Sequence, residues 1–323
     1  MIDQENLTNG KLLFLGLTAM ALCAFGPLSL FASVPLTIAV LLYGRQKSLV
    51  LVLGFMLFSV ALSMYMLALS YMPFAYFFSA VIGVLNAEVI LRKWHPVKGL
   101  LTFGLAVVGV IFVLLLGVVI LEGGSITGLV EAKVLELFEQ MKLQNKELIS
   151  AGGEQARLLE DFLSDPKAFA KDIINWMPSV IFITIFFTFW ATLFLVLRNS
   201  LLWKIRHAYP YTVKELVHFK VPDVMLWPLI LALTLRVAGD YIWGDALIVL
   251  GSNLLYGIGL FYFFQGFGLY ITLLDYLRIR SFLRTFLVLL TVTMAWQIVV
   301  LFGVFDGWIN FRKFLRPKTG PET

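Results

Sequence analysis

An all-α, polytopic bundle of transmembrane helices is the fold class predicted by three features of the sequence. First, the 323 residues are 60% hydrophobic and only 14% charged, with a mean hydropathy of +0.90, whereas an ordinary soluble domain is about 25% charged. Second, apolar runs close to or above the roughly 20 residues needed to cross hydrocarbon recur along the chain. Third, the segments between them are short and mostly basic. Together these features predict about nine spans (eight or nine), with a proline-broken first hairpin and an amphipathic, extramembrane helical insertion at residues 122–175. No Gly/Ser/Pro linker divides the chain, so residues 1–323 read as a single membrane domain.

Residues 12–43 are one apolar run interrupted by Gly26-Pro27 and Pro35. Proline removes a backbone donor and disfavours helix in the residue before it. A helix is therefore expected at about 12–25, then a break, then a short helix at about 31–43. Cys23, the lone cysteine, excludes an intramolecular disulfide. Asp3 and Glu5 stand where a secretory signal needs positive charge, so the first helix is expected to insert uncleaved. A basic turn at 44–47 leads to a third span at 48–69, and Tyr71-Met72-Pro73 opens a fourth that ends at Arg92-Lys93-Trp94-His95-Pro96. Glu88 lies four residues before Arg92, the spacing of an ion pair on a helix face, which favours an interfacial pair over a buried proton carrier. The fifth span is 99–121.

Residues 122–175 carry ten acidic and six basic side chains, net −4, which leaves +9 on the rest of the chain. Ile126, Val130, Val134, Leu137, Met141 and Leu148 follow helical spacing, giving an amphipathic helix that Gly152-Gly153 ends. A second short helix fits 154–163. Asp165-Pro166 has the form of an N-cap and first-turn proline, so a third helix is expected to start there and to break near Pro178. This insertion reads either as a surface that docks a membrane protein partner or as an interfacial hairpin.

The sixth span covers about 179–197. The basic stretch after it holds Arg198, Lys204, Arg206, Lys214 and Lys220, with His207 and His218. The seventh span is 225–243, the eighth 245–275 and the ninth about 282–303. Trp94, Trp176, Trp203, Trp227, Trp243 and Trp308 mark predicted span ends. With the N-terminus inside, the loops near 44, 92, 198 and 275 collect 13 basic residues in the cytoplasm and the acidic insertion lies outside. Nine spans also put the tail outside, with Arg312, Lys313, Arg316 and Lys318. The tail thus breaks the positive-inside rule.

Several functions are excluded or disfavoured. There is no phosphate-binding GxxxxGK[ST], no HExxH and no CxxC, and no histidine pair has metal-ligand spacing. No catalytic residue, cofactor, metal site or nucleic-acid partner is expected, because topology accounts for the basic loops and no catalytic constellation is present. The polar residues placed in or beside the last three spans are the ligand-binding candidates: Arg236, Asp240, Asn253, Gln265, Asp306 and Arg312. Arg236 and Asp240, four apart, can form a structural pair. Alternatively, with Asn253 and Asp306, they can form a cluster that takes a small anionic or zwitterionic solute.

From Asn253 onward, NLLYGIGLFYFFQG, a basic loop, a last span and GVFDGWINFRK resemble the YybS-like family of uncharacterised bacterial inner-membrane proteins. The resembling positions are Asn253, Gln265, Gly266, Gly303, Asp306, Trp308, Phe311 and Arg312; the broken first hairpin and the PLTIAVLLYG run are similar too. The resemblance implies a bacterial inner-membrane location and no reaction. The hairpin is also similar, more weakly, to the membrane substrate-binding subunits of energy-coupling-factor transporters. Two functions follow as expectations: transporter-like binding of a solute between helices, or a non-enzymatic scaffold acting through 122–175.

Overall fold

In the computed structural model, which describes residues 8–66, 69–122, 125–242 and 244–315 and of Glu122, Glu147, Ala151, Asp240 and Ile242 the backbone alone, the described residues are mostly helical and include no strand. Its helices are α1 (Asn9–Ala24), α2 (Ser33–Tyr43), α3 (Arg45–Tyr65), α4 (Met72–Leu91), α5 (Pro96–Glu122), α6 (Ile126–Gln144), α7 (Lys146–Ala151), α8 (Glu154–Phe162), α9 (Pro166–Arg198), α10 (Lys214–Val217), α11 (Leu226–Ile242), α12 (Asp245–Tyr276), α13 (Ser281–Met294) and α14 (Trp296–Ile309). Among the described residues, six helical segments are long and apolar enough to cross a membrane, or up to seven with the bent pair α13–α14 counted as one. The count falls below nine for local reasons. α1 has 16 residues and α11 has 17, and the ninth predicted span is a pair of helices meeting at 91°. Trp243, Arg316 and Lys318 lie outside the described residues.

The chain forms two compact units, one of residues 1–105, 183–227 and 258–323, the other of 106–182 and 228–257. In the first unit the broken hairpin is as the prolines require: a six-residue 3-10 turn, Gly26–Phe31, separates α1 from α2. Ala19, Met20 and Cys23 of α1, Leu36 of α2, and Met72, Tyr76 and Ala80 of α4 bury one another. Gly83 lets α4 approach α2 so closely that a Cβ there would press on the Ser33 carbonyl at 3.1 Å, and Thr37 Oγ1 donates to the Gly83 carbonyl at 3.1 Å.

Hydrogen bonds assign the ends of this unit. Tyr71 Oη donates to Ala24 O at 2.6 Å and Ser79 Oγ to Ser29 O at 3.2 Å, which groups the first break with the start of α4. At the other end Tyr43 Oη donates to Thr8 O at 3.1 Å. There Glu88, nearly buried on α4, is held by Arg92 Nε at 3.0 Å and by Arg45 Nε at 2.6 Å. The expected pair with Arg92 thus forms, and a second arginine joins it from the α2–α3 turn. This is the basic end.

In the second unit the insertion folds on a small core of its own. Val134 and Phe138 of α6 pack with Leu163 and Ala170, and the rings of Phe138, Phe162 and Phe169 lie 5.2–5.5 Å apart. Asp165 Oδ1 accepts from Ala168 N at 2.9 Å ahead of Pro166, the cap expected from sequence. The packed face of α6 includes the expected Val130, Val134 and Met141 but takes Phe138, 4% exposed, in place of Leu137, 48% exposed. Phe138→Asp should therefore open the insertion to protease in membrane vesicles, since truncating a buried phenylalanine alone costs about 3–5 kcal/mol, while Leu137→Asp should leave the digestion pattern unchanged. Equal sensitivity at the two positions would refute this packing.

Candidate functional site

Residues 199–223 join α9 to α11 with little regular structure, and a connection of this length without long helices is uncommon unless it serves a function. Backbone groups in such a segment need partners from elsewhere. Inward-facing side chains anchor the loop: Trp203, Tyr209, Leu216 and Val221 are all at most 4% exposed. Trp203 Nε1 donates to Val196 O at 3.0 Å, Tyr209 Oη to Trp94 O at 2.7 Å and His207 Nε2 to Leu41 O at 2.7 Å, and Arg206 bonds the Leu42 carbonyl. Burial pushes the Tyr209 phenol above its ordinary range, with Tyr211 and Glu215 adding to the shift, so it remains a donor. The loop thus lies across the ends of α2 and α4 at the basic end.

A polar clasp holds the far side of the loop. Gln265, 1% exposed in the middle of α12, accepts from Val221 N at 2.7 Å and donates to Asp306 Oδ2 at 3.1 Å. Asp306, 4% exposed on α14, accepts from Phe311 N at 3.0 Å, and Arg312 Nε sits 3.9 Å from its Oδ2. Arg312 in turn donates to the carbonyls of Val217 and Phe219, both at 3.2 Å. Burial lowers the guanidinium's affinity for its proton, and Asp306 opposes that shift. Glycines make the approach possible. A Cβ on Gly268 would overlap Val217 O, one on Gly266 would overlap Val299 O, and one on Gly303 would overlap Tyr262 O.

Between this loop, the start of α5 and α12 lies a cleft of about 700 Å³. His95, Lys98, Glu215, His218 and Lys220 carry its ionisable groups, and Leu101, Val221, Met225, Ile258 and Phe261 its apolar wall, with the Thr102 hydroxyl among them. His95 Nε2 is 3.7 Å from Glu215 Oε2 and meets the Tyr211 ring edge-on at 4.9 Å. Lys98 lies 5.5 Å above the Trp94 ring, and Lys220 is 3.5 Å from Asp223. None of these five ionisable residues was singled out from sequence as a ligand-binding candidate. Their charges matched those of topology-setting loops, and the signal that could have found them is the length of 199–223.

The six sequence candidates fall into two groups. Gln265, Asp306 and Arg312 come together in the clasp of the first unit. Arg236 and Asn253 belong to the second unit, and the side chain of Asp240, the expected partner of Arg236, lies outside the described residues. Arg236 is exposed and lies 6.0 Å from the centre of the Tyr256 ring. Asn253 has a different task. The expected break at Pro178 is absent, and α9 runs from Pro166 to Arg198 without interruption. An interior proline lacks one amide and crowds the carbonyl four residues back. Asn253 spans that disturbance, its Nδ2 donating to Asn175 O at 2.7 Å and its Oδ1 accepting from Ser179 N at 2.8 Å. Among the described residues no group of three or more His, Cys, Asp or Glu could hold a metal ion.

A buried helical core, long apolar helices and a basic end cap define a polytopic helical membrane protein. A family model described as "Predicted membrane protein (DUF2232)" matches residues 12–307, and the chain belongs to that family. No curated protein and no solved structure matches it.

If Asn253 supports the helix around Pro178, its worth depends on that proline. Asn253→Ala should cost about 2 kcal/mol in unfolding experiments in detergent, from backbone groups left unpaired, and clearly less in a Pro178→Ala background, where a continuous backbone ladder can form. A cost independent of residue 178 would show that Asn253 acts elsewhere.

Proposed function

We propose that this protein holds a small anionic or zwitterionic solute in the cleft at its basic end, as a transporter does at a binding site, and that it acts without catalysing a reaction. The observation that carries this reading is the cleft itself, with Lys98 and Lys220 among its polar groups, Glu215 able to take an ammonium, and one wall pinned by buried side chains. Three backbone groups within residues 217–221 are fixed by Gln265 and Arg312. The same bonds that satisfy this backbone also hold it in one conformation, and a wall ordered in advance avoids the loss of affinity that comes with ordering at each binding event. Gln265, Asp306 and Arg312 are then positioning residues. A second reading, a scaffold that docks a membrane protein partner, is favoured by the exposed Leu143 and Leu158 of the insertion, 74% and 64% exposed.

Native mass spectrometry of the protein purified in mild detergent tests the first reading. A small anionic or zwitterionic species should be retained, and Lys98→Gln combined with Lys220→Gln should lower its occupancy at least about tenfold through the loss of charge-assisted hydrogen bonds. An empty wild-type protein, or equal occupancy in the variant, would overturn it.

The reading also puts the basic end in the cytoplasm of a bacterial inner membrane and the insertion, residues 122–175, outside. The 27 residues of α5 and 33 of α9, at about 1.5 Å each, are ample to carry the chain across. With Cys23 replaced, a cysteine at position 150 should react with an impermeant maleimide on intact cells and one at position 200 should not. The opposite pattern would refute this orientation.

A further inference from the structure

We infer that the occupant of the cleft is an amphiphile with a phosphate-bearing head, an anionic phospholipid that enters sideways from the bilayer, and this rests on the reading of the cleft as a binding site. The argument is the order of chemistry down its walls. On α5, Lys98 is followed one turn further on by Leu101, 36% exposed, and Thr102, both lining the cleft, and two turns on by Leu105, 58% exposed on the face of Lys98 just outside the lining. Seven residues of helix descend about 10 Å, so this wall changes from cationic to apolar over the depth of a headgroup and the start of an acyl chain. The loop contributes the same two chemistries to the cleft, Lys220 beside the apolar Val221, Pro222 and Met225. The α12 wall is apolar as well. Ile258 lies seven residues before Gln265, the residue that fixes Val221, so the cleft floor reaches about 10 Å below the loop.

The rim points the same way. Met225, Val224 and Trp227, where the loop enters α11, are 40%, 74% and 73% exposed. Exposed apolar side chains and a tryptophan at a helix end belong at a lipid interface. Lys98 and Lys220 supply the cations that a phosphate needs, with His95 and His218 beside them, and basic pockets between helices on the cytoplasmic side are suited to anionic headgroups. A water-soluble solute requires the cations but not an apolar wall that is graded with depth and open to the bilayer.

The test uses the full-length protein in nanodiscs of phosphatidylglycerol and phosphatidylcholine mixed equally, released and weighed by native mass spectrometry. Wild type should retain phosphatidylglycerol over phosphatidylcholine, and millimolar glycerol phosphate or inorganic phosphate should not displace it. Lys98→Gln with Lys220→Gln should weaken retention about thirtyfold. Leu101→Trp, which fills the apolar wall and leaves both lysines, should weaken it too, with thermal melts checking that each variant is folded. Displacement by glycerol phosphate, or loss of retention in the lysine variant but not in Leu101→Trp, would overturn the amphiphile while leaving an anion site in place. No preference for phosphatidylglycerol together with no retained soluble anion would remove both readings.

Discussion

A backbone amide or carbonyl without a partner costs several kcal/mol in hydrocarbon, where no water can replace the missing bond. The architecture can be understood as a set of answers to that constraint wherever the chain departs from an unbroken helix. At Pro178 the answer is Asn253, whose two amide atoms serve the carbonyl and the amide on either side of the proline. At 217–221, where the chain is barely helical, the answer is Gln265 and Arg312. In each case a polar side chain inside or beside a long apolar helix is explained by another segment's backbone.

The clasp shows how such an answer becomes a fixed geometry. Arg312 binds two loop carbonyls but needs a counterion to be tolerated where it is buried, and Asp306 supplies it. Asp306 itself needs donors, which come from Gln265 and the Phe311 amide. No member can be removed without leaving another group unpaired, so the network specifies one arrangement of loop, α12 and α14. The glycines enforce it sterically. Gly266 and Gly303 bring α12 and α14 into backbone contact, the close approach by which helices associate when lipid offers no hydrophobic drive.

Features whose cause is local were legible in the sequence. Gly26-Pro27 broke the first hairpin, Asp165-Pro166 began α9, and Glu88 met Arg92 one turn on. What failed had a distant cause. Nothing near Pro178 announces that an asparagine 74 residues beyond Ser179 will support the helix there. Gln265, Asp306 and Arg312 stood out as polar groups in or beside apolar spans, but what they hold besides one another is backbone, at residues 217–221 and Phe311, and backbone leaves no mark in composition. The cleft residues were hidden differently: Lys98 and Lys220 are what a topology-setting loop would carry anyway. On α6 the heptad-like stripe allowed either Leu137 or Phe138 to face inward, and only the meeting with Phe162 and Phe169 decides between them.

The tail carries the same logic to the scale of the whole chain. A simple alternation through nine spans puts residues 311–313 on the side opposite the basic loop, in conflict with their charge. Their contacts resolve the conflict, because Arg312 touches Val217 and Phe219 within that loop. The chain returns because α13 and α14, 14 residues each, meet at 91° near Ala295 and do not form one straight rod. The exit of this bent pair lies against the basic loop, so within the first unit the described tail and that loop sit together. The elbow therefore has a structural consequence beyond topology: it delivers Asp306 and Arg312 to Gln265, and so closes the clasp from which the cleft wall hangs.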